Sequence, residues 1–147
     1  MSENAVSFFS KCENSFQQVE IKTDGDLPFL PTDQFLKACN SYLEIYDLLG
    51  GGLTFAPIKS DVSGNITKIR KHADGTIGNE NIFSIIKNEQ SLEECTKAGS
   101  ATDALLWLTR GLWMMYFFIE IVVDGERVAS VAFEKAYEKS LAKWIKF

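Results

Sequence analysis

Residues 59–70 read KSDVSGNITKIR, and the spacing of their polar side chains predicts a helix with one polar face. Asp61, Asn65 and Lys68 are four and three residues apart, so on a helix they stack along one side. A carboxylate, an amide and an ammonium group side by side offer several simultaneous hydrogen bonds to a sugar or an amide. A neighbouring apolar stripe predicts the anchoring face of the same helix: Ile58, Val62, Ile66 and Ile69. A solvated surface helix is the alternative interpretation.

The stretch closely resembles the signature helix of the glycolipid transfer protein family, and the similarity continues on both sides of it. Four further stretches follow the family pattern in order: PFLPTDQFLKACNSYLEIYDLLG (28–50), ATDALLWLTRGL (101–112), DGER (124–127) and KAYEKSLAKW (135–144). The resemblance covers residues 29–144 and is weaker over 72–97. It implies an all-α, two-layer helical fold of the glycolipid transfer type, formed by a single domain over residues 1–147.

The resemblance also implies a function and the residues that perform it. In the family, residues matching Asp61, Asn65 and Lys68 hold the sugar and amide of a glycosphingolipid, and a tryptophan matching Trp107 stacks on the sugar. The implied protein is a non-enzymatic carrier that moves this lipid between membranes. Because the phosphate-reading branch of the family has arginine where this chain has Trp107, a sugar head group is implied over ceramide-1-phosphate.

Each of these residues also has a simpler structural interpretation. Asp61 could merely complement the dipole near a helix start, and Trp107 could be a core residue of an apolar helix. Asp103 and Arg110 lie four residues before and three after Trp107, which favours a polar rim at that point. A structural ion pair between Asp103 and Arg110 is the alternative.

The end of the sequence departs from the family. Family members carry a His-x-Trp motif whose histidine bonds the ceramide amide, and the aligned residues here are Ile145, Lys146 and Phe147. Isoleucine cannot donate that hydrogen bond. The last helices of the family, which close the hydrocarbon tunnel, have no counterpart, so we expect a shortened fold. A sensor or interaction protein that does not transfer lipid, or an inactive truncated copy, are therefore alternative functions.

Composition sets further limits on function. With 46% hydrophobic residues among 147, the chain has enough apolar content for one sizeable core. A net charge of −5 argues against nucleic-acid binding and against electrostatic attraction to anionic lipid. We therefore expect a transient membrane contact made by apolar and aromatic side chains. The chain should be monomeric if its pocket is closed and could form a homo-oligomer if an apolar groove is exposed.

No feature of the sequence indicates catalysis, a cofactor or a metal. Three widely spaced cysteines lack metal-binding motifs and are typical of reduced thiols in a cytoplasmic protein: Cys12, Cys39 and Cys95. The N-terminus does not resemble a signal peptide. The single histidine, His72, is predicted to lie in a solvated loop, away from any nucleophile motif. A carboxylate pair of Asp61 with Asp103 or Glu120 is the remaining enzymatic alternative, and nothing in the sequence brings these residues together.

Periodicity and turn residues predict helices throughout. The predicted helices span 2–19, 32–49 with Thr32 as N-cap, from about 58 to the loop at 72–81, 81–88, from 93 or 98 to 123, and 130–146. Residues 104–123 are long and apolar enough to cross a membrane, but Arg110 and Glu120 favour a central helix buried on nearly all sides. The segment VVDGERVASV (122–131) is also compatible with a β-hairpin.

Overall fold

The computed structural model describes residues 8–23, 25–48 and 55–145, which form helices joined by turns, bends and two isolated β-bridges. The helices in chain order are α1 (Phe8–Lys11), a 3₁₀ turn (Phe16–Gln18), α2 (Thr32–Tyr42), α3 (Glu44–Leu48), α4 (Ala56–Asp74), α5 (Ile82–Ser91), α6 (Ala101–Val123) and α7 (Ala129–Ser140). The predicted all-α class is confirmed.

The chain divides into two compact units. The first unit, Met1–Ala104, contains α1 to α5 and the first turn of α6. The second unit, Leu105–Phe147, contains the rest of α6 and α7. A single domain over residues 1–147 stays a prediction.

In the first unit, α4 packs against both α2 and α5. The apolar stripe of α4 is its anchoring face, as predicted. Val62, Ile66 and Ile69 are buried, and Ile58 is half-buried. Burying such side chains contributes about 1.5–3 kcal/mol each. This stripe therefore fixes the rotation of α4 and, with it, the direction of its polar face.

Asn81 joins the segment before α2 to the start of α5. Its Oδ1 accepts the Phe83 N–H, which caps α5, and also the Leu30 N–H, both at 3.1 Å. Its Nδ2 donates to the Pro28 carbonyl at 3.0 Å. The Asn81 side chain is buried, so three hydrogen bonds from one amide hold these two segments together.

The predicted helix over 2–19 is wrong at its middle, because residues 12–15 are not helical and separate α1 from the 3₁₀ turn. The Gln18 side chain accepts the Ser15 N–H at 2.9 Å, which starts a new turn in place of a continuous helix. Residues 2–7 lie outside the described part of the chain.

The predicted helix over 32–49 is divided into α2 and α3 by Leu43, whose N–H bonds to the Asn40 carbonyl in a tight turn. Thr32 is the first helical residue and not the N-cap, a position that Pro31 occupies. The Thr32 N–H donates instead to the Glu80 carbonyl at 2.9 Å. Leu49 and the glycines at 50–52 lie outside the described residues.

The other helix ends differ from prediction by a few residues. α4 begins two residues early, with Pro57 in its first turn, and continues to Asp74. α5 runs to Ser91, α6 begins only at Ala101, and α7 gives way to turns after Ser140.

α6 ends at Val123, as predicted, and the hairpin alternative at 122–131 is wrong. Gly125 adopts a φ of 112°, a conformation open mainly to glycine. In this conformation the Gly125 N–H donates to the Val122 carbonyl at 3.1 Å, and this bond terminates the helix.

α6 is less buried than the sequence predicted. Among the described residues, α6 is the one helix that is long and apolar enough to cross a membrane. The core helix of a soluble protein can have the same length and composition. Only 28% of the apolar 18-residue stretch within this helix is buried. Its exposed side chains include Leu106, Trp113, Tyr116 and Val123. The helix therefore has an exposed apolar side, and the prediction of burial on nearly all sides is wrong.

Candidate functional site

The three polar residues singled out on α4 form a connected chain of side chains, called here the polar ladder (Asp61, Asn65 and Lys68). Lys68 Nζ donates to Asn65 Oδ1 at 3.4 Å, and Asn65 Nδ2 donates to Asp61 Oδ2 at 3.3 Å. Both bonds are long, so the groups orient one another without consuming their full hydrogen-bonding capacity. The spacing of four and three residues thus produces the single face that the sequence predicted.

The members of the ladder differ in burial. Asn65 is only 2% exposed, whereas Asp61 and Lys68 are exposed. A buried amide has few alternative positions, so Asn65 fixes the ladder while the two charged ends remain accessible. One carboxylate oxygen of Asp61, Oδ1, is left to accept hydrogen bonds from a ligand.

Gly64 lies on the same side of α4, three residues after Asp61 and four before Lys68. A Cβ at this position would have no atom within 4 Å outside its own helix surroundings. Neither packing nor a positive φ therefore requires glycine here. Its effect is to leave open space beside the ladder.

Tyr46 lies near the Asp61 end of α4. Burial raises the pKa of the Tyr46 phenol, with smaller contributions from Tyr42 and the Asp61 charge. The raised pKa keeps this phenol neutral to a higher pH than an exposed tyrosine. Tyr46 also lines a cavity of about 300 Å³ with Phe55, Lys59 and Ser63, and the ladder residues are not part of that lining.

The fourth predicted site residue, Trp107, lies in the second unit on α6 and is half-buried. The Arg110 guanidinium carbon is 4.8 Å from the centroid of the Trp107 ring and 4.2 Å from that of the Trp144 ring. We call these three residues the indole–arginine stack. Sequence reasoning identified Trp107 and Arg110 but missed Trp144, for which the only signal was an aromatic residue after α7.

Asp103 has a structural role within the first unit. Its carboxylate accepts the Gly99 N–H at 3.1 Å, and its own N–H donates to Ser100 Oγ at 3.0 Å. Asp103 is thus engaged at the start of α6, and no ion pair within the described residues includes it.

His72 is not in a solvated loop, because α4 extends through it. The half-buried ring has Nε2 at 3.0 Å from the Gly99 carbonyl and Nδ1 at 3.4 Å from Glu89 Oε1. Its partner Glu89, which the sequence analysis missed, is 4% exposed. The signal was an acidic residue on the apolar stripe of α5, after Ile82 and Ile85.

Glu89 accepts hydrogen bonds from the free N–H groups at the start of α6. Its carboxylate accepts the Ala101 N–H at 2.6 Å and both the N–H and hydroxyl of Thr102, at 2.8 and 2.6 Å. A negative charge at this end of a helix is stabilised by the helix dipole and the free N–H groups. Glu89 therefore fixes the residue at which α6 begins.

The segment with the predicted departure from the family is described only in part. The Ile145 carbonyl accepts the Tyr137 hydroxyl at 2.9 Å, so the backbone after α7 is tied back to that helix. Lys146 and Phe147 lie outside the described residues. Among the residues that the structure covers, no cluster of three or more His, Cys, Asp or Glu side chains could hold a metal ion.

Comparison with known proteins agrees with this fold. A family model described as glycolipid transfer protein (GLTP) matches residues 30–147. The Rattus norvegicus protein pleckstrin homology domain-containing family A member 8 is 35% identical over 142 residues, which are 95% of this chain and 26% of the relative. A glycolipid transfer protein from Aureobasidium melanogenum is 34% identical over 140 residues, 93% of this chain and 65% of the relative.

Two solved structures are similar as well. HET-C2, a fungal glycolipid transfer protein, superposes with a TM-score of 0.82 at 28% identity, over 96% of this chain and 70% of its own. A structure of FAPP2, reported to select simple glycosphingolipids using the GLTP fold, gives 0.79 at 33% identity, over 95% of this chain and 65% of its own.

The chain spans about a quarter of the length of its pleckstrin homology relatives and 65% of the Aureobasidium protein. The family model nevertheless covers most of the chain, including α2 to α7. Together with the two solved structures, this match shows that the chain belongs to the glycolipid transfer protein family.

Proposed function

We propose that this chain binds one glycosphingolipid and carries it between membranes without catalysing a reaction. In this proposal the polar ladder forms hydrogen bonds with the head group and the ceramide amide, and Trp107 stacks on the sugar. The observation that carries the proposal is the hydrogen-bonded order of Lys68, Asn65 and Asp61, with a buried amide in the middle and accessible charges at both ends.

Each ladder group has a chemical role that suits this ligand. The Asp61 carboxylate only accepts, so it bonds amide N–H and sugar hydroxyl donors. Lys68 only donates, and it bonds hydroxyl or carbonyl oxygens. Asn65 does both, and it holds the two charges at a fixed separation. The open space at Gly64 lets the ligand approach the helix backbone between them.

Apolar burial supplies most of the affinity in this proposal. Each lipid methylene removed from water contributes about 0.8 kcal/mol, whereas charge-assisted hydrogen bonds contribute about 1.5–3 kcal/mol each. The hydrocarbon chains therefore provide strength and the polar ladder provides selection. Membrane contact uses exposed aromatic residues, because a net charge of −5 does not attract anionic lipid. The free thiols of Cys12, Cys39 and Cys95 support a cytoplasmic location.

Equilibrium binding of galactosylceramide and of ceramide tests the role of Asp61. We expect the wild-type chain to bind galactosylceramide more tightly than ceramide. In Asp61→Ala the ratio of the two affinities should be smaller by a factor of at least about ten, because the charged hydrogen bonds are lost. Thr67→Ala is the matched control, since Thr67 is an exposed α4 residue outside the ladder face. Equal preference in wild type and a folded Asp61→Ala variant would contradict the assignment.

A second candidate is a sensor or interaction protein that binds glycolipid but does not transfer it. The exposed apolar side of α6, with Trp113 and Tyr116, is the observation that favours it. The molar mass of the lipid-free chain, measured by light scattering, distinguishes the carrier from the sensor or interaction protein. A stable monomer supports the carrier, and a dimer or larger assembly supports a protein that uses this surface to bind another copy.

A further inference from the structure

A second polar face of α4 lies across the helix from the polar ladder. Ser63, Thr67 and Arg70 repeat the four- and three-residue spacing of the ladder, displaced along the chain by two residues. Two residues turn an α-helix by about 200°, so this face and the ladder flank the buried apolar stripe on opposite sides. All three side chains are exposed. A ligand of this face is therefore distinct from a ligand of the polar ladder.

Helix α2 contributes a matching polar face. Asn40 and Ser41 follow Lys37 by three and four residues, so the three side chains share one side of α2. Because α2 packs against α4, the two faces together line a cavity of about 370 Å³, to which Asn14 also contributes. This cavity is called here the α2–α4 groove. Its volume is in the range of cavities that bind small molecules.

The α2–α4 groove is positively charged although the chain as a whole is acidic. Among the described residues that line it, Lys37 and Arg70 are cationic and none is Asp or Glu. The chain has 15 basic and 20 acidic residues, so composition alone does not account for such a lining. Most of the other lining groups are hydroxyls and amides, which bond both oxygen acceptors and hydroxyl donors. This combination suits a polar ligand that carries negative charge.

Asp33 holds the two cations together from outside the groove. One of its carboxylate oxygens is 2.7 Å from Lys37 Nζ, and the other is 3.4 Å from Arg70 Nη1. The hydrogen bond from Lys37 is the largest cause that lowers the pKa of Asp33, so this carboxylate stays ionised to a lower pH than an isolated aspartate. Within the described residues, no other ion pair or side-chain hydrogen bond includes either cation. Most of their donors are therefore available to a ligand.

We infer that the α2–α4 groove binds a phosphate monoester. Such a group carries about two negative charges at neutral pH, which matches the two cations. Arg70 bonds two of its oxygens through the planar fork of the guanidinium, and Lys37 bonds a third. Asn40 and Ser41 are then available to the hydroxyl groups of the molecule that bears the phosphate. This inference goes beyond the proposed function and does not depend on it.

A soluble molecule and a membrane lipid can both carry a phosphate monoester, and two pairs of probes distinguish these sources. Calorimetry compares glucose 6-phosphate with uncharged glucose. Vesicle sedimentation compares phosphatidylcholine vesicles that contain phosphatidic acid, a monoester, with vesicles that contain phosphatidylglycerol, a diester. At fixed ionic strength, we expect the wild-type chain to bind the monoester of at least one pair about tenfold more tightly than its partner, as one charged hydrogen bond would give.

Substitutions of the two cations test whether the binding belongs to this groove. Lys37→Gln and Arg70→Gln should each weaken binding of the preferred monoester by about tenfold. Lys71→Gln is the matched control and should keep full affinity, because Lys71 is an exposed cation next to Arg70 in the sequence that does not line the groove. Exposed ion pairs contribute little to stability, so both groove variants should keep the urea unfolding curve of the wild type.

Other results would overturn the inference. A wild-type chain that prefers neither monoester has no phosphate site. Equal weakening by Lys71→Gln means that the overall charge, and not the groove, attracts the anion. Full binding by both Lys37→Gln and Arg70→Gln assigns the phosphate to another place on the chain. The preference for galactosylceramide over ceramide tests the proposed function separately, so its failure is distinguishable from each of these results.

Discussion

At the scale of single residues, the spacing in KSDVSGNITKIR was sufficient to place three polar groups on one face of α4. It could not give their depth, because whether Asn65 is buried depends on how α4 packs against α2 and α5. The contact between His72 and Glu89 was not predictable either. These residues are far apart in sequence, and their meeting depends on the packing of α4 and α5 within the first unit.

Gly64 gives a sharp test of the ladder as a binding surface. Glycine in a helix interior costs about 1 kcal/mol relative to alanine, and nothing in the described structure requires it at this position. Gly64→Ala should therefore raise the free energy of unfolding by about 0.5–1 kcal/mol. The added methyl group should at the same time weaken glycolipid binding, because it occupies the space between Asp61 and Lys68.

Urea unfolding and equilibrium glycolipid binding measure the two effects of Gly64→Ala. Gly75→Ala, at the end of α4 and away from the ladder, is the control for glycine replacement with nothing near the new Cβ. A stabilised Gly64→Ala variant with unchanged affinity would mean that no ligand lies over this part of α4.

At the scale of elements, periodicity predicted the type of the long helices and missed their ends. α6 shows the reason most clearly. Its predicted start at residue 93 or 98 followed the local sequence, whereas its actual start at Ala101 is fixed by a carboxylate from another helix. The division between α2 and α3 at Leu43 has a similar origin, since a single tight turn carries no strong signal of its own.

Replacing Glu89 tests the proposed cap of α6. Glu89→Gln keeps the shape but removes the charge and turns an acceptor into an NH₂ donor that faces N–H groups. We expect the free energy of unfolding to fall by about 2 kcal/mol, the scale of a charged hydrogen bond left unsatisfied. Urea unfolding measures the loss, with Glu80→Gln as control because the Glu80 side chain is exposed. Equal losses in the two variants would show that Glu89 does not stabilise the helix start.

At the scale of the whole molecule, the sequence motifs alone indicate the family. They do so because several separate stretches, from residue 28 to residue 144, follow one order. The exposed apolar side of α6 was not predictable in the same way. An apolar helix has the same composition whether its sides are covered or exposed, and only the packed structure distinguishes the two.

The transfer of a fluorescent galactosylceramide between donor and acceptor vesicles tests the central claim most directly. The account predicts that the 147-residue chain transfers this lipid and that Asp61→Ala, with an unchanged unfolding curve, does not. Transfer that is equal in the two proteins would contradict the role of the polar ladder. A folded wild-type chain that transfers no lipid would contradict the carrier function itself.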